Sequence, residues 1–279
     1  MALLLIQCPD ERGLIYKITG VLYAHGLNIL RNDEFVEREG NVFFMRTEVE
    51  LAGGEVAGDQ LLAELRAALP PLATIRLADS RQKRIVLLVT KEHHCLSELL
   101  VRHAFGELNA VIQAVISNHE VLGELTRKFD LPFHYLPHEG RSRAAHEAEV
   151  LALLASYAPD YVVLAKYMRI LSPEFVAPYA NRLINIHHSF LPAFVGASPY
   201  TQAHARGVKL IGATAHFVNE QLDQGPIIAQ RVIPIDHTQS AREMAQAGRD
   251  VEKIVLARAL KLVLDEQVFV HRNKTIIFE

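Results

Sequence analysis

Two short stretches gather the side-chain types that a reaction at a carbonyl carbon needs. Leu183–Pro192 reads Leu-Ile-Asn-Ile-His-His-Ser-Phe-Leu-Pro, an apolar run closing on polar residues and a proline. Side chains alternate faces along a strand, so Asn185 and His187 share one face and His188 takes the other. Gly212–Pro226 alternates in the same way. Thr214 and His216 share a face, and the run passes into a loop carrying Asp223 between Leu222 and a Gly225-Pro226 turn. Attack on a carbonyl carbon builds negative charge on its oxygen, and donors fixed in advance stabilise that charge. An amide, imidazoles and a carboxylate near the ends of two strands form such a set. An Asn and a His on a buried strand can instead serve only to close a sheet edge; the Asp-bearing loop on a second strand moves the reading towards chemistry. Ser189 lacks the glycine-flanked elbow of a nucleophilic serine, and His188, facing away, is read with it as structural. His93-His94-Cys95 is a poor metal site, because adjacent side chains diverge and no Cys-x-x-Cys pair accompanies them; no metal is expected.

The elements that position these groups follow from hydrophobic periodicity. Leu3–Gln7 reads as a strand, and Leu14, Ile18, Val21 and Leu22 recur at helical spacing up to Gly26, a C-terminal stop. Asn28–Val36 and Asn41–Leu51 read as strands, Gly58–Ala68 as a helix ended by Pro70-Pro71, and Thr74–Leu77 as a last strand. That order is β-α-β-β-α-β, a ferredoxin-like unit over residues 1–80, with a polar linker around Asp79–Arg84. From residue 84 to 279 the rhythm changes. Ile85–Val89, Val111–Ser117, Tyr161–Leu164 and Ile184–Ile186 are β-branched runs separated by helical segments, of which Val121–Phe129 and Ala144–Tyr157 are clearest. Strands alternating with helices imply a Rossmann-like, mostly parallel sheet with helices on both faces, an α/β fold. Ile227–Ile235 adds a strand, Ala241–Leu264 a long amphipathic helix, and Val268–His271 with Thr275–Phe278 a terminal hairpin.

Composition narrows the function classes. The chain has 279 residues, room for two domains, of which 50% are apolar and 22% charged, as in ordinary globular proteins. Net charge is -3 and the basic residues are scattered, so no nucleic-acid partner is expected. Two cysteines in different regions fit a reduced, cytoplasmic protein. The first ten residues lack a basic start and a small-residue cleavage site, and read as a strand rather than a signal peptide. No uncharged apolar stretch approaches the roughly 20 residues of a membrane span, so no membrane partner is expected.

Four separate matches carry a resemblance. They are Val163-Leu-Ala-Lys-Tyr-Met-Arg-Ile-Leu-Ser-Pro, Ile184-Asn-Ile-His-His-Ser-Phe-Leu-Pro, Gly212-Ala-Thr-Ala-His-Phe-Val and Leu222-Asp-Gln-Gly-Pro-Ile-Ile. In that order and spacing, from about Ile85 onwards, the chain resembles the folate-dependent formyltransferase and formyl-hydrolase superfamily. The resemblance implies that the catalytic Asn, His and Asp fall on Asn185, His187 and Asp223. The amide and a donating imidazole would then stabilise the oxyanion, and the carboxylate would position the nucleophile and manage its proton. His216 would orient Asp223 or a water. Leu164, Met168, Arg169, Ile170 and Leu171 would line a pterin pocket, Met168 suiting a flat ring. On pattern alone, Met168–Leu171 reads equally well as core with Arg169 exposed. Ser198 stands where relatives often carry a longer polar or basic residue, which would weaken the hold on a folate tail.

Superfamily members that formylate a phosphorylated purine precursor carry a Gly-rich turn whose amides meet the phosphate. Here the corresponding Val89-Thr-Lys-Glu-His-His-Cys-Leu-Ser has no glycine, which makes water the expected nucleophile. With its leading domain and doubled His187-His188, the whole chain resembles the branch that hydrolyses 10-formyltetrahydrofolate to tetrahydrofolate and formate, using no cofactor and no metal. Two other functions stay open at this point: formyl transfer to an amine acceptor, and a non-catalytic folate or amino-acid sensor. Asp10-Glu-Arg-Gly-Leu followed by Gly26-Leu-Asn-Ile resembles an ACT domain, a small amino-acid-sensing module. That resemblance puts an amino-acid effector near Arg12, Gly13, Leu14 and Asn28, with amides at the helix start for its carboxylate. Such domains also serve only to pair chains, and either way a homo-oligomer is expected.

Overall fold

The computed structural model describes residues 2–51, 58–78, 81–193 and 199–279. The chain divides into two compact units, residues 1–81 with 278–279 and residues 82–277.

The first unit runs β1 (Ala2–Pro9), α1 (Leu14–Ala24), β2 (Leu27–Glu37), β3 (Val42–Leu51), α2 (Gly58–Ala68) and β4 (Thr74–Ala78), the order read from the sequence. Its sheet is antiparallel, in the order β2-β3-β1-β4. Alternate residues of β1, namely Leu4, Ile6 and Cys8, pack against Leu14, Ile18 and Leu22 of α1 and Leu61 and Leu65 of α2. The period of two in the strand meets the period of about four in the helices, which is what gives this unit one core.

The second unit continues with β5 (Lys83–Val89), α3 (His94–Ala104), β6 (Ala110–Ser117), α4 (Gly123–Arg127), β7 (Phe133–Tyr135), α5 (Arg143–Tyr157) and β8 (Tyr161–Leu164). It then adds α6 (Pro173–Val176), β9 (Leu183–His187), α7 (Pro199–Arg206), β10 (Leu210–Phe217), β11 (Ile227–Pro234), α8 (Ala241–Leu264) and the hairpin β12 (Val268–His271) and β13 (Lys274–Ile277). Seven strands form one sheet in the order β11-β10-β9-β8-β5-β6-β7. Strands β5 to β9 are parallel, and β10 pairs antiparallel with both β9 and β11.

Strand β5, inside the sheet, shows why both faces carry helices. Ile85, Leu87 and Val89 of β5 pack with side chains of α3 and α8, whereas Val86 and Leu88 pack with α5 and α6. A strand apolar at every position has no face to give to water. Fully burying each such side chain contributes roughly 1.5–3 kcal/mol.

Two details differ from the sequence reading. Val121–Phe129 is a 3-10 turn at Glu120–Leu122 followed by the short α4, and it closes through Phe129 N–H to Thr126 O and Asp130 N–H to Arg127 O. Bonds of that three-residue span tighten the segment and leave no room for a longer helix. Strand β7 and helices α3 and α7 carried too short or too mixed a pattern to be read in advance.

The turn after β10 determines where Asp223 sits. Phe217 N–H donates to Pro226 O at 2.9 Å, folding residues 218–225 back onto the strand end. A Cβ on Gly225 would lie 1.7 Å from Phe217 O, so this close approach requires glycine. Gly225→Ala is expected to cost about 1–3 kcal/mol and to lower the melting temperature by roughly 2–12 °C. Thermal unfolding of the full chain checks this, and an unchanged melting temperature would mean that the turn accommodates a side chain.

Candidate active site

Ligands of open α/β sheets bind beyond the carboxyl ends of the parallel strands. Here the ends of β8 and β9 meet β10, which runs the opposite way. The β9–β10 register sets His216 directly across from Asn185 and Thr214 across from His187. The β10–β11 pairing is irregular between Ala215 and His216, the kind of local break that re-aims a side chain beside a site. Asn185, His187, His216 and Asp223 all line one cavity of about 510 Å³.

Their hydrogen bonds fix their orientation. His216 Nδ1 lies 2.8 Å from Phe217 O, which can only accept, so Nδ1 carries the hydrogen. In the neutral ring Nε2 is then an acceptor, and the Asn185 amide nitrogen donates to it at 3.2 Å. The amide is thereby oriented with its second N–H to spare. His187 Nδ1 lies 3.3 Å from one Asp223 oxygen, and His216 Nε2 lies 3.7 Å from the other. Burial pushes the Asp223 carboxyl up, but the hydrogen bond and charge of His187, with the charge His216 carries when protonated, outweigh it and hold the group well below the usual carboxylate range. Asp223 adopts φ 56°, a left-handed conformation that Asp tolerates better than most residues. His187 Nε2 is buried and has no hydrogen-bond partner among the described residues.

The loop after β8 forms another wall of the cavity. Leu164, Met168, Arg169, Ile170 and Leu171 all line it, as the resemblance implied. Met168 and Ile170 are 55% and 61% exposed, so this segment is an apolar shelf open to a ligand rather than core. The Met168 amide donates to Thr90 Oγ1 at 3.0 Å, tying the shelf to the end of β5.

Lys166, also on that wall, was not singled out from the sequence. It is buried with φ 65°, an uncommon backbone state for Lys, and its ammonium lies 3.2 Å from Glu252. Glu252, almost fully buried, also accepts from Tyr200 Oη and pairs with His94 Nε2, both at 2.8 Å. Burial pushes this carboxyl up, and His94, Lys166 and Tyr200 bring it down to about 2. Tyr200 reaches Glu252 because Gly248, one turn earlier in α8, has no side chain; a Cβ there would sit 2.0 Å from the Tyr200 hydroxyl. The His94-Cys95 pair thus has its imidazole turned to Glu252, whose oxygens are also engaged by the Lys166 ammonium and the Tyr200 hydroxyl.

One sequence reading is overturned. His188 does not face away: it lines the cavity, and its ring stacks on His187 with centroids 5.0 Å apart and planes at 27°. Strand β9 ends at His187, so the alternation that would have sent His188 to the opposite face no longer applies. Ser189 is a turn residue as expected, its hydroxyl donating to Ala193 O at 2.6 Å. Thr214 donates to Ser189 O at 2.8 Å and accepts from the Leu191 amide at 3.0 Å, pinning this turn to β10.

The residues linked to an effector lie in the first unit. Gly13 precedes α1 at φ 86°, Arg12 and Asn28 are exposed, and Leu14 is buried in the core. Ser198 lies outside the described residues.

Residues 83–260 match the formyl transferase family, and residues 2–69 match the ACT domain. The formyltetrahydrofolate deformylase of Haemophilus influenzae is 55% identical over 99% of this chain and 98% of its own length. That of Bacillus subtilis is 45% identical over 99% and 93%. A solved formyltetrahydrofolate deformylase from Pseudomonas syringae matches with a TM-score of 0.95 at 41% identity, covering 100% of this chain and 94% of that one. A glycinamide ribonucleotide transformylase from Symbiobacterium toebii matches with a TM-score of 0.69 at 27% identity, covering 73% and 97%. The chain belongs to the formyltetrahydrofolate deformylase family, within the wider family of formyl transferases.

Proposed function

We propose that this protein hydrolyses 10-formyltetrahydrofolate to tetrahydrofolate and formate, with Asn185, His187 and Asp223 as the catalytic groups and no metal or cofactor. The observation that carries the reading is the buried His187–Asp223 pair, whose other imidazole nitrogen has no partner among the described residues and whose ring lines a cavity walled by an apolar shelf. The pterin ring rests on Met168 and Ile170, and the formyl group reaches Asn185 and His187. Water adds to the formyl carbon, and its proton passes to His187 Nε2. The free Asn185 N–H stabilises the oxyanion. The carbon–N10 bond then breaks as N10 takes the proton back from His187, and the formic acid left ionises to formate by losing its hydroxyl proton to solvent. A carboxyl held well below the usual range is a weak base at neutral pH, which favours Asp223 as the group that orients His187 and balances its positive charge.

Transfer to a phosphorylated amine fits less well. The segment between β5 and α3 presents the Glu92 carboxylate, which pairs with Arg249 at 3.3 Å, where a phosphate would need bare backbone amides. The first unit is proposed to take an amino-acid effector or to pair chains into a homo-oligomer. No helix among the described residues is long and apolar enough to cross a membrane, which supports a cytoplasmic site of action.

With chelator present and no amine acceptor, the protein is expected to release one formate per tetrahydrofolate formed. Turnover only after an amine or a metal ion is added would overturn the reading. Asp223→Asn is expected to lower kcat by about 10²–10⁴-fold, and Asn185→Ala by about 10²–10³-fold; steady-state kinetics with kcat near wild type would remove either residue from its role. Asp223 also makes stability depend on pH. Its folded pKa is depressed, so its contribution is fully present above the unfolded value of about 4 and is lost as pH falls through the lower folded value. The melting-temperature gap between wild type and Asp223→Asn should therefore hold steady from pH 8 to 5 and narrow below about pH 4. A gap that widens in acid would mean that the carboxyl is not held ionised.

A further inference from the structure

A water attacking a carbonyl carbon must aim a lone pair at it, so both of its hydrogens need acceptors on the enzyme side. In the hydrolase reading, on which this inference rests, His187 Nε2 receives one hydrogen. The other needs an acceptor beside His187, uncharged and not already engaged.

We propose that His188 is that acceptor and holds the attacking water against His187. Four observations place it there. His188 lines the same cavity as Asn185, His187 and Asp223. Its ring lies nearly parallel to that of His187 at 5.0 Å between centroids, so a molecule at the edge of one ring is within reach of the other. The Tyr200 ring also lies beside it, 6.2 Å between centroids, and Tyr200 is itself anchored on Glu252. Among the described residues no hydrogen bond is made by either ring nitrogen, although the rings of His187 and His216 each have a partner. A half-buried imidazole with no protein partner that faces a cavity is left to bind water or ligand.

The charge state suits the role. Burial, then the Lys166 ammonium, then His187 push the His188 imidazole down to about 4, against smaller opposing effects of Glu252 and Asp223. An uncharged imidazole keeps a lone pair on one nitrogen, whereas an imidazolium has none to offer a water hydrogen. Lys166, kept buried in an uncommon backbone state, thereby acquires a function in the site besides its ion pair with Glu252.

The test is a set of three variants in the full-length protein. His188→Phe keeps a flat ring to stack on His187 and removes both nitrogens; His188→Asn and His188→Gln restore an acceptor at two different reaches. Steady-state hydrolysis of 10-formyltetrahydrofolate, tetrahydrofolate binding and thermal unfolding are measured for each. The Phe variant is expected to lose about 10²-fold in kcat, the scale of a mispositioned reactant, with KM and tetrahydrofolate affinity within about twofold of wild type. At least one amide variant should then recover fivefold or more over Phe. A Phe variant with kcat within twofold of wild type would overturn the proposal, as would a kcat loss that neither amide recovers or that comes with an equal loss of tetrahydrofolate binding. Absence of acceptor-free hydrolysis by the wild type would instead strike at the hydrolase reading itself.

Discussion

An ionised carboxylate shut between two imidazoles is the interaction on which the second unit's site depends. Asp223 is largely buried, and a charge removed from water is tolerated only when it is paired and hydrogen-bonded. His187 supplies the hydrogen bond and His216 stands on the carboxylate's other side, on two strands that run in opposite directions and meet because β10 pairs antiparallel with β9. The carboxylate in turn decides which nitrogen of His187 carries a hydrogen, and so which one faces the cavity. The Asn185 amide is fixed by the same set through His216, whose own tautomer is fixed by the Phe217 carbonyl. Four side chains thus hold one another in a single arrangement, and the loop carrying the acid can close only because Gly225 lets it fold back against β10.

A second buried carboxylate, Glu252, has a parallel role behind the first. It gathers Lys166, His94 and Tyr200, and through them ties the loop after β8, the start of α3 and helix α7 to the middle of α8. A buried carboxylate held by three partners ties the elements that carry them into one network, and Lys166 belongs to the same loop as the apolar shelf at Met168 and Ile170. Rigidity matters here because donors stabilise a developing charge only if they need not reorganise when it forms.

The sequence disclosed some of this and concealed the rest for identifiable reasons. Strand β5 was plain as an unbroken apolar run and helix α8 because it is long enough for its period to repeat, and Asn185, His187, His216 and Asp223 stood out as polar types beside apolar strand patterns. The helix expected over Val121–Phe129 is present but shortened to Gly123–Arg127, with i→i+3 bonds at both ends, a local competition that periodicity does not see. His188 was misplaced because strand alternation was carried one residue past the end of β9. Lys166 was passed over because its importance lies in a backbone angle and in Glu252, a partner 86 residues further along the chain, and neither leaves a local mark. Long-range pairings of this kind are settled only by the fold.

The most direct test of the account is the tautomer of His187. Nitrogen-15 NMR of histidine-labelled protein at neutral pH, with the His187 signals assigned by their loss in His187→Gln, reports which ring nitrogen carries a hydrogen. A hydrogen on Nδ1, whether the ring is neutral or charged, is the result predicted by the Asp223 contact. A neutral ring with its hydrogen on Nε2 and a bare Nδ1 would contradict it, because Asp223 could not then orient His187 and the proton path drawn from the geometry would fail.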